Sequence, residues 1–206
     1  MTTIYIVRHS EPFKSHSGIE DVNESLLQSN IKSPLSINGE KLAEKISASD
    51  EFDNIDVVWS SNYVRCMSTA KYFAARNNLK VNVSEKLGER KHGIESWKDL
   101  PENFEQLQFK DENYKIGYGE SQKEVRQRLV NFVNKLLINY KDKRILIVSH
   151  STATAYLLGN WCKISYDGPY IYKNKNYFEG IWNYCETFKL TFDDQNNLID
   201  IKNLKF

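Results

Sequence analysis

Two histidines occupy the same sequence setting. His9 closes the run Thr3-Ile-Tyr-Ile-Val-Arg-His9, and His150 closes Arg144-Ile-Leu-Ile-Val-Ser-His150. Each ends an apolar stretch of the kind that forms a buried strand. Open parallel sheets bind ligands outside the carboxyl ends of their strands, so both imidazoles are expected in one crevice. A neutral imidazole is a good phosphoryl acceptor near pH 7. Arg8 adds a planar fork that matches phosphate oxygens. Arg65 and Glu89 each follow a further strand candidate closely enough to face the same place. Taken singly, each of these residues reads as an ordinary surface or loop group. Together they meet the needs of phosphoryl transfer: an in-line nucleophile, cationic donors for the equatorial oxygens, and a proton for the leaving oxygen.

The elements that position them are legible in outline. Strands are expected at residues 3–8, 56–60, 80–84, 144–149 and 186–192. The first, second and fourth are continuous apolar runs, as in strands covered on both faces. The last alternates and runs into Asp193-Asp194-Gln195-Asn196-Asn197, a turn that returns as a hairpin with 198–204. Helices alternate with the strands. Ser36 is an expected N-cap, and Asn62 caps a second helix running to about Asn77. Ser121-x-x-Glu124 is a capping box ahead of Val125, Leu129, Phe132, Val133, Leu136 and Leu137 at helical spacing. A fourth helix starts just after His150. This alternation predicts an α/β fold: a three-layer α/β/α sandwich with a mostly parallel central sheet and an antiparallel edge strand. One domain over 1–206 is expected. Residues 10–33 and 88–120 are polar and weakly periodic, and are expected as substrate loops or lids.

In order along the chain, these pieces resemble the histidine phosphatase superfamily, in its phosphoglycerate mutase-like branch. Arg8-His9-Ser10 matches the family's Arg-His-Gly. Pro34-Leu35-Ser36-Ile37-Asn38-Gly39 matches Pro-Leu-Thr-x-x-Gly. Ser60-Ser61 through Arg65, Thr69 and Ala70 matches Ser-Ser-x-x-x-Arg-x-x-x-Thr-Ala. Leu87-Gly88-Glu89-Arg90-Lys91-His92-Gly93 matches Leu-x-Glu-Arg-x-x-Gly, and His150 matches the second histidine. The resemblance implies that His9 becomes phosphohistidine, that Arg8, Arg65 and His150 clamp the phosphate, and that Glu89 donates the proton. Backbone amides from Ser151 onward, at a helix N-terminus, would add anion-binding donors. Ser10 and Glu11-Pro12 depart from the family's glycine and from its Glu-Thr or Glu-Ser. The family's asparagine a few residues later is missing, and Ser15 or His16 would take its place at the rim. Arg90 is the remaining substrate-binding candidate, with Lys14, Lys91, Trp97 and Tyr118 set to tune substrate choice.

The expected activity is therefore metal-independent phosphomonoester hydrolysis through a phosphohistidine on His9, with no cofactor and a small phosphorylated metabolite as substrate. A phosphoglycerate mutase-type phosphotransferase is the alternative. A non-catalytic phospho-ligand or protein-binding module is the third reading, disfavoured because both histidines are present. Other phosphoryl chemistries lack their motifs: no cysteine is followed six positions later by arginine, and no P-loop occurs. A net charge of +1, from 28 basic and 27 acidic residues, argues against a nucleic-acid surface. No apolar run approaches a membrane span, and no signal segment precedes the first strand. Three scattered cysteines fit free thiols in a reducing cytoplasm.

Overall fold

The computed structural model describes residues 1–13 and 25–206. Its centre is a six-stranded sheet. In chain order the strands are β1 (Thr2–Arg8), β2 (Val57–Ser61), β3 (Val81–Ser84), β4 (Arg144–Ser149), β5 (Tyr170–Tyr172), β6 (Lys175–Phe178), β7 (Thr187–Phe192) and β8 (Leu198–Leu204). The sheet order is β3-β2-β4-β1-β7-β8, and β5 and β6 pair separately. β3, β2, β4 and β1 run parallel. The antiparallel edge is a pair of strands, β7 against β1 and β8 against β7. All four parallel carboxyl ends therefore open on one rim.

The helices are α1 (Leu26–Lys32), α2 (Ile37–Ser47), α3 (Val64–Arg76), α4 (Phe104–Lys110), α5 (Gln122–Asn139) and α6 (Ser151–Leu158). Successive strand side chains point to opposite faces. On one face Tyr5, Val7, Val58, Leu146 and Val148 pack with Ala43, Ile46, Cys66, Ala70 and Phe73 of α2 and α3. On the other, Ile4, Ile6, Ile145 and Ile147 pack with Val125, Leu129, Val133 and Leu157 of α5 and α6. This produces the expected three layers, because an apolar run in β1 or β4 supplies both cores at once.

Several local expectations meet their cause. Ser36 accepts from the Gly39 amide and caps α2. Ser121 and Glu124 satisfy each other's backbone amides at the start of α5. Asp193 turns the β7–β8 hairpin, its carboxylate accepting from the Gln195 and Asn197 amides. Asn62 differs from expectation. The cap position of α3 is Tyr63, with no side-chain bond to the helix, because the first helical hydrogen bond lands on the Tyr63 carbonyl, from the Met67 amide at 3.1 Å. Two short helices, α1 and α4, lie inside the stretches expected to be irregular. The three cysteines are free and buried. Among the described residues, no helix is long and apolar enough to cross a membrane.

Candidate active site

His9 leaves β1 on a backbone that is still part of the sheet, its amide donating to the Ser149 carbonyl at 2.9 Å. The next residue is locked on three sides. The Ser10 amide donates to Thr69 Oγ1 at 3.0 Å and the Ser10 hydroxyl to the Gly39 carbonyl at 2.7 Å. Glu11 accepts from the Ser36 hydroxyl at 2.6 Å. A Cβ at Gly39 would stand 2.1 Å from the Glu11 carbonyl oxygen, so only glycine admits this approach. The proline-led segment 34–39 and Thr69 thus act on the loop after His9.

The His9 ring is oriented by its own neighbour. Nδ1 lies 2.8 Å from the Ser10 carbonyl, which can only accept, so Nδ1 carries the proton. That leaves the lone pair on Nε2, facing the site. Arg65 Nε donates to it at 3.0 Å. Burial, then the Arg65 charge, pushes His9 down to about 3, so the ring is neutral at physiological pH.

Arg65 sits in the first turn of α3 and spreads its fork across the crevice. Nη1 donates to the Asn30 carbonyl of α1 at 2.5 Å, and Nη2 lies 3.3 Å from His150 Nδ1. Arginine has no acceptor, so His150 Nδ1 offers its lone pair and Nε2 carries the proton, 2.9 Å from Ser61 Oγ. His150 is fully buried, and that burial, together with the charges of its neighbours, keeps it well below the usual imidazole value. The two imidazoles stand edge to face with centroids 5.2 Å apart. Tyr63 packs on His150 from the other side at 4.6 Å. Cys66 does more than pack: its thiol touches the His150 ring, with Sγ 3.4 Å from Nε2. Burial pushes that thiol up to about 12, so it is inert.

Glu89 arrives from β3 through a 3₁₀ turn at Glu85–Leu87. Its Oε1 accepts from the Arg90 amide and from the Ala153 amide, both at 2.8 Å. Ala153 is in the first turn of α6, directly after His150, so Glu89 caps that helix from outside. Ser149 Oγ donates to the Leu87 carbonyl at 2.8 Å. Arg128 of α5 donates to the Lys86 and Glu89 carbonyls at 2.9 and 3.1 Å and forks onto Glu120. Glu89 Oε2 has no hydrogen bond among the described residues.

Arg8 comes to the crevice from the side of β7. Its Nη1 donates to the Trp182 carbonyl at 2.9 Å, and its guanidinium lies 4.8 Å over the Tyr184 ring. Arg90 points elsewhere. Its guanidinium is buried against Gln108, Glu105 and His92. Burial, then Arg90, pushes His92 down to about 4. Beside these residues a cleft of about 330 Å³, counting its open mouth, runs between α1 and the 90–97 segment. Leu26, Leu27 and Asn30 line one wall, and Arg90, Trp97 and Tyr118 the other. The rim candidates Lys14, Ser15 and His16 lie outside the described residues. The structure thus gathers Arg8, His9, Arg65, Glu89, His150 and the amide end of α6 at one rim, with Arg90 set back under the cleft wall. Ser61 and Arg128, which hold His150 and the Glu89 segment, had no role assigned from sequence, since neither contact is local.

Comparison with known proteins matches residues 4–197 to the family model "Histidine phosphatase superfamily (branch 1)". A curated relative, phosphoserine phosphatase 1 of Hydrogenobacter thermophilus, is 26% identical over 164 residues, covering 73% of this chain and 72% of the relative. Among solved structures, a histidine-to-alanine mutant of Entamoeba histolytica phosphoserine phosphatase, in complex with phosphoserine, aligns with a TM-score of 0.67. Its identity is 17%, and the alignment covers 98% of this chain and 97% of that one. A mycobacterial glucosyl-3-phosphoglycerate phosphatase aligns at 0.70 and 17%, covering 98% and 96%. At such identity these two likenesses speak to the fold. The family match spans nearly the whole chain: the protein belongs to the histidine phosphatase superfamily, branch 1, and is a phosphatase of that superfamily.

Proposed function

We propose, with that membership as premise, that the protein hydrolyses a small phosphomonoester through a phosphohistidine on His9. The observation that carries this reading is the His9 ring itself: neutral, its Nδ1–H held by a carbonyl, its Nε2 lone pair turned to the Arg65 guanidinium. In the first step Nε2 attacks phosphorus in line, the Nε2–P bond forms and the bond to the leaving oxygen breaks. Arg8, Arg65 and the Ser151 amide take the equatorial oxygens, with Arg65 exchanging its bonds to His9 and His150 for phosphate oxygens, and His150 joins them by taking a proton from solvent on the Nδ1 so freed. Glu89, as general acid, hands a proton from its Oε2 to the leaving oxygen. In the second step water attacks phosphorus, Glu89 takes a water proton, the Nε2–P bond breaks and phosphate departs. The charge is neutralised by side chains and amides, so no metal ion is required.

The cleft between α1 and the 90–97 segment is the natural place for the leaving group, with Arg90 buried behind its wall; Ser15 and His16 stand as substrate-binding candidates from the sequence alone. The relatives' substrates, phosphoserine and glucosyl-3-phosphoglycerate, both pair the phosphate with a carboxylate, so carboxylate-bearing phosphomonoesters head the panel to test. The experiment is turnover of that panel in excess EDTA, with neutral rapid quench to trap the phosphoenzyme. Acid-labile, base-stable label confined to His9 and phosphate release equal to substrate consumed are expected. Isomerisation of 3-phosphoglycerate with negligible phosphate release would assign a mutase instead, and activity restored only by added magnesium or zinc would refute the mechanism.

A further inference from the structure

Arg8 reaches the site on a mount that β1 does not supply. Both of its partners, the Trp182 carbonyl and the Tyr184 ring, belong to the short turn between β6 and β7. Its Nε is buried with no hydrogen-bond partner among the described residues. One part of the guanidinium is thus held by protein while a buried donor stays open, as befits a group aimed at a ligand.

The turn is held unusually firmly. Cys185 adopts φ +56, a sparsely populated conformation for a residue with a side chain. The Glu186 amide closes the turn onto the Asn183 carbonyl at 3.3 Å. The Glu186 carboxylate is only 4% exposed, and its two oxygens divide their work. Oε2 accepts from the backbone and side-chain nitrogens of Asn183, at 3.1 and 3.0 Å. Oε1 accepts from Asn203 Nδ2 at 2.7 Å and Lys205 Nζ at 2.6 Å, on and just beyond β8. One carboxylate therefore ties the turn that holds Arg8 to the sheet's outer hairpin.

We propose that Glu186 is a positioning residue for phosphate binding: by fixing the 182–185 turn it sets the orientation of Arg8. This rests on Arg8 being a phosphate ligand, as proposed above. A carboxylate that merely stabilised the hairpin would affect melting and nothing specific to Arg8. The Kd of inorganic phosphate, read by ³¹P NMR titration, needs no turnover and separates the two. It is measured for wild type, Glu186→Gln, Arg8→Ala and the double variant. A glutamine side chain cannot accept at both ends, so Glu186→Gln releases one grip, and Kd should rise about tenfold. In the Arg8→Ala background the same substitution should change Kd by less than about twofold, since the group it positions is gone. A tenfold rise in both backgrounds, or none in the wild type, overturns the inference while leaving Arg8 as a ligand. Arg8→Ala with wild-type affinity overturns Arg8's own assignment, and the inference with it. If Glu186→Gln does not fold, Asn183→Ala at the exposed tip carries the same cycle, with an expected rise of about threefold.

Discussion

The rim of the sheet and the walls above it are built on opposite terms. His9, Ser61, Arg65 and His150 are buried and stand on strands or helix turns whose apolar neighbours form the two cores. The cleft walls are thin by contrast. Helix α1 buries none of its residues, and Trp97 and Tyr118 are 52% and 58% exposed. The proposed chemistry thus draws on the same packing that makes the fold, whereas the proposed leaving-group cleft is walled largely by exposed side chains. Substitutions at the rim should disturb rate and stability through one network. Substitutions in the walls should alter substrate preference with the fold indifferent.

The largest expected effect is at the rim. His9→Ala should abolish turnover, by on the order of 10⁴-fold or more, and remove all phosphoenzyme label. Label that survives on another residue would sink the nucleophile assignment. Glu89→Gln should come next, at on the order of 10²–10⁴-fold for an alkyl phosphate. For para-nitrophenyl phosphate, whose leaving group needs no proton, the burst rate should fall far less. Equal burst losses for both substrates would leave Glu89 only its place at the start of α6.

The third effect is on stability. His9 is held down to about 3 and His150 well below the usual imidazole value, so as pH falls below 6.5 the unfolded chain binds protons that the folded protein refuses. Stability must fall as pH falls through that window, each such histidine adding a slope of up to roughly 1.4 kcal/mol per pH unit. Chemical denaturation at pH 7.5 and pH 5 should show the drop, and His9→Asn with His150→Asn should reduce it to the part that His92 contributes; an unchanged pH dependence in the double variant would mean that the two histidines do not carry it. The smallest effect belongs to the walls. Trp97→Ala should shift KM by about two- to tenfold with kcat nearly unchanged, and unfolding free energy by no more than about 0.5 kcal/mol. A melting loss as large as that of a rim variant would erase the contrast between the two regions.

What the chain discloses in advance follows the same division. β1, β4 and the β7–β8 hairpin were legible because burial on two faces, or on one, imposes an unmistakable pattern, and α5 because its capping box is local. The helices α1 and α4 were not, being too short for periodicity to register. At the site, Arg8, His9, Arg65, Glu89 and His150 were legible as a set through their places after strands and their family resemblance. Their supports were not. Ser61 under His150, Arg128 behind Glu89 and Trp182 behind Arg8 are partners only after folding brings distant segments together.

The parallel pairing of β1 with β4 carries a consequence for how this sequence can change length. Arg8 is registered opposite Ser149, and the His9 amide closes the ladder on the Ser149 carbonyl. Both imidazoles are therefore counted from a single alignment of two strands. A residue inserted or deleted within 2–8 or 144–149 reverses the side-chain alternation beyond it, sending one histidine to the wrong face and unseating apolar residues from both cores at once. The same insertion in 95–103 meets no such ladder. Lineages of this chain are free to lengthen and reshape the walls of the cleft, while the spacing that ends in each histidine is fixed to the residue.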